Sequence, residues 1–96
     1  MSKKATTAST VQKFADIPNI GDAITADFAL LGITQPADLK KCDGYKLYMK
    51  LCKVTGIRHD PCVLDTFLAA VDFMQGAPAK PWWYYTTERT QKYPNI

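Results

Sequence analysis

Two turns and one spaced set of cations carry the residue types in this sequence that could do chemistry. The first turn is IPNIGDAI at 17–24. A helix that starts straight after a tight turn points free backbone amides outward. Those amides and the helix dipole can hold a phosphate oxygen without reading a base. Here they would come from Ile20, Gly21, Asp22 and Ala23. Phosphate contacts also draw affinity from counterion release, which needs cations nearby. The local charge has the wrong sign: Asp16, Asp22 and Asp27 surround the turn, and no Lys or Arg lies between Lys13 and Lys40. An aspartate opening the second helix can also satisfy the amides that a phosphate would use. A packing turn with Asp22 as a cap-like residue is as open a reading as phosphate binding.

The cations lie further on. Lys46, Lys50 and Lys53 are spaced i, i+4, i+7 and fall on one helix face. Lys40 and Lys41 precede them, and Arg58 follows. Tyr45 and Tyr48 lie among them and could stack on a base or pack inward. This is the best candidate surface for nucleic acid, weighed against an ordinary solvated helix face. The second turn, VTGIRHDPC at 54–62, repeats the form of the first: a helix, a glycine, an apolar residue and a new helix. The amides of Cys62 and Val63 stand beside Arg58 and His59, a pairing that suits an anion, while Asp60 competes for them as the helix cap. The candidate nucleic-acid contacts are therefore Lys46, Lys50, Lys53, Arg58 and His59, with Gly21 and Gly56 at the two turns.

Enzymatic chemistry finds little footing. Cys62 falls in a first helical turn near Arg58 and His59, where the dipole and the cations would lower its thiol pKa. No base and orienting group accompany it, and a small buried hydrophobe is the commoner state of such a cysteine. Cys42, Cys52, His59 and Cys62 are zinc-type ligands, but they lack paired cysteines two to four apart. No metal or cofactor is expected. The chain shows no paired catalytic carboxylates, no Ser-His-Asp set and no phosphate-binding glycine loop, and it has one histidine. The expectation is a non-enzymatic protein.

Ninety-six residues suffice for one domain. The three cysteines, Cys42, Cys52 and Cys62, form an odd set that argues for reduced thiols. The start, MSKKATTASTVQK, has lysines but no apolar core of a secretory signal. No apolar run approaches the roughly 20 residues that cross a bilayer. A cytoplasmic protein without membrane contact is expected, and a net charge of +3 permits nucleic-acid binding without demanding it.

The elements that must position these residues read as helices. Residues 1–9 are small, polar and basic, and a mobile tail is expected there. Val11, Phe14 and Ile17 follow helical spacing and predict a short first helix. Pro18 ends it, and Asn19 and Gly21 offer positive φ for a reversal. A second helix is predicted over 22–31, closed by Gly32, and a brief third one opens at Pro36. Asp43 caps a fourth helix that Gly56 ends. Asp60, Pro61 and Gly76 mark the cap, first residue and stop of a fifth. The last segment holds Trp82, Trp83, Tyr84 and Tyr85. It predicts an extended clip across the bundle, with one helical turn near 87–92 and at least one Trp sealing the core. The fold class is all-α: a compact bundle of about five helices built on helix-hairpin-helix units. The domain spans 10–85, with a C-terminal extension at 86–96.

Several of these segments together resemble a known group. IPNIG at 17–21, LLGI at 30–33, LYMKLCKVTGIRHDPCVLDTF at 47–67 and PWW at 81–83 carry the likeness. They are similar to the pathogenicity-locus family of small bacterial helix-hairpin-helix proteins, whose members are often labelled mitomycin resistance proteins. The likeness covers about 14–83. The first half is also similar to the C-terminal helical domain of competence regulators of the TfoX type. The resemblance implies an all-helical bundle with a DNA-related role and no firmly established reaction. The functional expectation is a sequence-independent module for double-stranded DNA, acting in stress or mitomycin-type drug resistance. The alternative is an adaptor that docks a protein partner through the aromatic clip or the acidic hairpin.

Overall fold

The computed structural model describes residues 4–96. The first three residues of the expected tail lie outside the described residues. Within them every regular element is a helix, with no strand. The α-helices are α1 (Asp22–Leu30), α2 (Gly44–Thr55), α3 (Pro61–Met74) and α4 (Thr86–Lys92). Single 3-10 segments occupy Ala8–Thr10, Phe14–Asp16, Pro36–Lys41 and Trp82–Tyr85.

Helix α3 is the centre of the bundle. Asp60 caps it, Pro61 opens it, and Gly76 at φ 108° lies just past its end. Leu64, Phe67, Ala70, Val71, Phe73 and Met74 are buried along it. Phe67 stacks on Phe28 of α1 with ring centroids 5.2 Å apart, and Phe28 meets Phe14 at 5.4 Å. Each fully buried Phe contributes about 2–3 kcal/mol relative to exposure. Helix α2 runs from its Asp43 cap to Gly56, whose φ of 73° only glycine adopts freely. Its first residue, Gly44, lies so close to α3 that a Cβ would sit 3.0 Å from the Leu68 backbone nitrogen. That close approach fixes α2 against the central helix.

Three expectations are corrected. The predicted helix over 11–17 is a single 3-10 turn, Phe14–Asp16, preceded by extended Val11 and Lys13. Asp16 explains this: its Oδ2 accepts from the Gln12 and Lys13 amides at 3.0 and 3.1 Å, and Pro18 blocks continuation. Only Asn19 has positive φ in the first turn, at 73°, whereas Gly21 is extended. The C-terminal segment is helical rather than extended: Trp82–Tyr85 runs directly into α4. The residue that seals the core there is Tyr85, 5% exposed, while Trp82, Trp83 and Tyr84 face solvent.

Residues 4–7 lie against the first turn. The Ala5 amide donates to the Asp16 carbonyl at 2.8 Å. Lys4 Nζ donates to the carbonyls of Ala15 and Ile20, each at 2.6 Å.

Candidate nucleic-acid interface

Helix α2 presents Lys46, Lys50 and Lys53 together on its exposed face. With Met49 and Val54 they cover roughly 140° of the helix circumference at 3.6 residues per turn. Met49 is 45% exposed, Val54 52% and Ile57, just past the helix, 60%, so the lysine face is studded with apolar side chains. Lys50 Nζ also lies 3.4 Å from the Leu31 carbonyl, at the end of α1 where a cation suits the helix dipole. The two tyrosines pack inward. Tyr45 stacks on Tyr93 at 4.1 Å with 8° between the rings, and buried Tyr48 donates its hydroxyl to the His59 carbonyl.

The second turn is already satisfied from within the chain. Asp60 Oδ1 accepts the Cys62 amide at 2.9 Å, and the Asp60 carbonyl accepts the Val63 amide at 2.9 Å. The capping reading holds there. Arg58 turns away to donate to the Asn95 carbonyl at 2.8 Å. His59 Nε2 pairs with Thr55 Oγ1 at 2.8 Å. Its imidazole also lies near enough to Asp27 to oppose the upward shift that burial gives that carboxyl. Gly56 donates to the Cys52 carbonyl as a helix stop. The structure thus gathers the three lysines, pairs His59 and Gly56 with residues of α2, and ties Arg58 to Asn95.

The first turn differs. Gly21 is the cap residue of α1, no side chain caps it, and Asp22 is the first helical residue rather than a cap. Nothing lies within 4 Å of where a Gly21 Cβ would stand. The turn is held from behind by buried Ile17 and Ile20 and from the side by Asn19. Asn19 Nδ2 donates to the Lys80 carbonyl at 2.8 Å, and its Oδ1 accepts the Trp82 amide at 3.2 Å. Tertiary structure therefore brings the Lys4 ammonium and the Lys80 backbone to a turn whose own sequence is acidic. Local charge alone conceals both.

The surroundings of Cys62 disfavour its thiolate. Its hydrogen bond to Asp60, followed by burial and the charges of Asp60 and Asp65, pushes its pKa up rather than down. Among the described residues, no group of three or more His, Cys, Asp and Glu is placed to hold a metal ion. Nor is any helix there long and apolar enough to cross a membrane.

Residues 7–91 match the model of the family described as Pathogenicity locus. The chain belongs to the pathogenicity locus family. It is also similar to the mitomycin resistance protein McrB of Streptomyces lavendulae, with 41% identity over 83 residues, 86% of this chain and 79% of that protein. No solved structure matches it. The matched span of this pathogenicity locus protein takes in the first turn, the α2 face and the exposed aromatics alike.

Sequence reasoning missed one buried group. Asp65 is fully buried and accepts from Arg89 and Thr86 of α4. Its signal was a carboxylate set among Leu64, Phe67 and Leu68 in an otherwise apolar helix, a position that demands a partner.

Proposed function

We propose that this pathogenicity locus protein is a non-enzymatic module that associates with double-stranded DNA irrespective of sequence and serves a resistance-related role. The observation that carries the reading is the α2 face, where Lys46, Lys50 and Lys53 stand exposed together and no ion pair occupies them among the described residues. Three such cations match the spaced negative charge of a duplex backbone without any base readout. The uncapped first turn adds a second phosphate-compatible edge. The name of its Streptomyces lavendulae relative supports the link to resistance.

A duplex titration followed by anisotropy tests this. Binding should weaken steeply with salt. Changing Lys46, Lys50 and Lys53 together to Glu should abolish it. Absence of duplex binding at low salt would sink the proposal. A protein partner is the second reading, favoured by Met49, Val54 and Ile57 beside the lysines. That complex would survive salt that dissolves a phosphate-only contact.

A further inference from the structure

The segment Trp82–Tyr85 contains three aromatic side chains that the bundle does not use. In a 3-10 helix, residues i and i+3 eclipse. Trp82 therefore shares the side of buried Tyr85 and is 36% exposed, while Trp83 and Tyr84 project outward at 63% and 55%. Trp82 and Trp83 meet edge to face at 5.8 Å and 88°, and Tyr84 meets Tyr85 at 5.3 Å and 75°. The backbone beneath is fixed. Asn19 holds the Trp82 amide, the Tyr84 amide donates to the Pro81 carbonyl at 3.0 Å, and Thr86 Oγ1 donates to Asp65 Oδ2 at 2.8 Å. Exposed rings carried on a fixed backbone lose little freedom when a ligand stacks on them.

Cations stand beside this surface. Lys80 Nζ lies 3.9 Å from the centroid of the Tyr84 ring. Lys4 is fixed on the Ala15 and Ile20 carbonyls, at the turn that Asn19 joins to Trp82. Asp22 at the same turn opposes them. Exposed aromatic rings beside a lysine ammonium fit a ligand that alternates flat rings with negative charge, which is a nucleic acid strand with its bases unpaired.

We infer that the exposed rings of Trp83 and Tyr84 stack unpaired bases, so that the module engages strand ends, gaps and distorted duplex in preference to intact duplex. The inference deepens the DNA reading above and rests on it only for the choice of nucleic acid as ligand. It uses side chains other than the α2 lysines, so the two can fail separately.

The test is a tryptophan-fluorescence titration of the intact chain with a single-stranded thymidine oligonucleotide and with a blunt duplex. The single strand should quench the emission. The double variant Trp83→Ala, Tyr84→Ala should bind that strand at least about tenfold more weakly, keep its duplex affinity within about twofold, and melt as the parent does, since both side chains are exposed. The triple lysine-to-glutamate variant should lose duplex binding and keep the quenching. Unquenched emission, or an aromatic double variant that binds the single strand as tightly as the parent, overturns the inference. An altered sedimentation coefficient for that variant, with unchanged oligonucleotide affinity, overturns it in favour of a second copy as the occupant. Loss of duplex binding by the parent, with quenching intact, removes the duplex proposal and leaves this one standing.

Discussion

Arg89 of α4 lays its guanidinium across both carboxylate oxygens of Asp65 at the heart of α3, Nε to Oδ1 at 3.0 Å and Nη2 to Oδ2 at 3.3 Å. It is the ion pair that binds the C-terminal helix to the bundle, with Asp65 fully buried and Arg89 13% exposed. Removing one partner strands a buried charge, which costs about 3–5 kcal/mol. Arg89→Met should therefore destabilise the protein by about 3 kcal/mol in urea unfolding, the lower end because Arg89 keeps some water. Pairing it with Asp65→Leu should restore at least half of that loss, since no charge is then stranded. A single variant costing under about 1 kcal/mol would show that α4 is held by its packing alone.

Asn19 does two jobs that substitution can separate. Its side chain joins the first turn to Lys80 and Trp82, and its backbone sits at φ 73°. Asn19→Gly loses the two hydrogen bonds, a loss of about 2 kcal/mol. Asn19→Ala loses them and also carries the left-handed penalty of about 1 kcal/mol or more. Thermal unfolding should rank the parent first, Gly second and Ala third. Equal stability of the two variants would mean that the turn relaxes its φ when the side chain is gone.

Much of this fold was legible from local signals. Asp43 to Gly56 and Asp60 to Gly76 delimit α2 and α3 because caps and stops act within a few residues. The failures came where distant groups decide. Residues 11–17 have helical spacing, yet the Asp16 carboxylate takes the amides and holds a 3-10 turn. Four consecutive aromatics gave no hint of which one faces inward; the 3-10 path sets that, and it chose Tyr85. At the candidate site, the α2 lysines were legible from their spacing. Lys4 and Lys80 were not, because they reach the first turn only through folding. At the second turn Asp60 takes the Cys62 amide, as its position as cap leads one to expect.

Gly44 is a packing glycine. An added Cβ would stand 2.9 Å from Leu68 Cδ2, 3.0 Å from its nitrogen and 3.1 Å from its Cα. The methyl end can swing aside, but the backbone of α3 cannot. Gly44→Ala should cost about 1–2 kcal/mol, because overpacking outweighs the helix preference of alanine. Chemical denaturation measures it, and a stabilised variant would show that α2 can slide on α3.

The raised thiol of Cys62 makes a kinetic prediction. Asp60, burial and Asp65 all disfavour the thiolate. At pH 7.5, a disulfide reagent should modify Cys62 more slowly than it modifies a free small-molecule thiol. Asp60→Asn should speed the reaction. Faster modification of the parent would return Cys62 to candidacy as a nucleophile.

Carboxylates of opposite shift shape the acid limb. Backbone hydrogen bonds from Gln12 and Lys13 hold Asp16 below its usual value, and the hydrogen bonds from Cys62 do the same for Asp60. Groups with a depressed folded pKa add stability that is present above the unfolded value and lost as pH falls through the folded one. Stability should therefore fall below about pH 4. Asp27 is shifted up, chiefly by burial, so its charge weighs against the fold at neutral pH. Asp60→Asn should flatten the acid limb, and Asp27→Asn should raise the melting temperature at pH 7 more than at pH 3. The reverse order for Asp27 would mean that its contact with His59 dominates.

Gly21 supplies the sharpest test of the first turn. It is exposed, its φ is −120°, and nothing lies within 4 Å of a built Cβ, so neither strain nor packing requires glycine there. Alanine is a poorer helix cap than glycine, and the substitution should cost no more than about 1 kcal/mol. A phosphate oxygen approaching the amides of the turn would meet the new methyl group. Gly21→Ala should therefore leave the fold intact and weaken duplex binding about tenfold, equivalent to about 1.4 kcal/mol. The anisotropy titration measures the affinity, and urea unfolding of the same sample checks the fold. Unchanged affinity would assign the duplex to the α2 lysines alone and make IPNIGDAI a turn kept for packing.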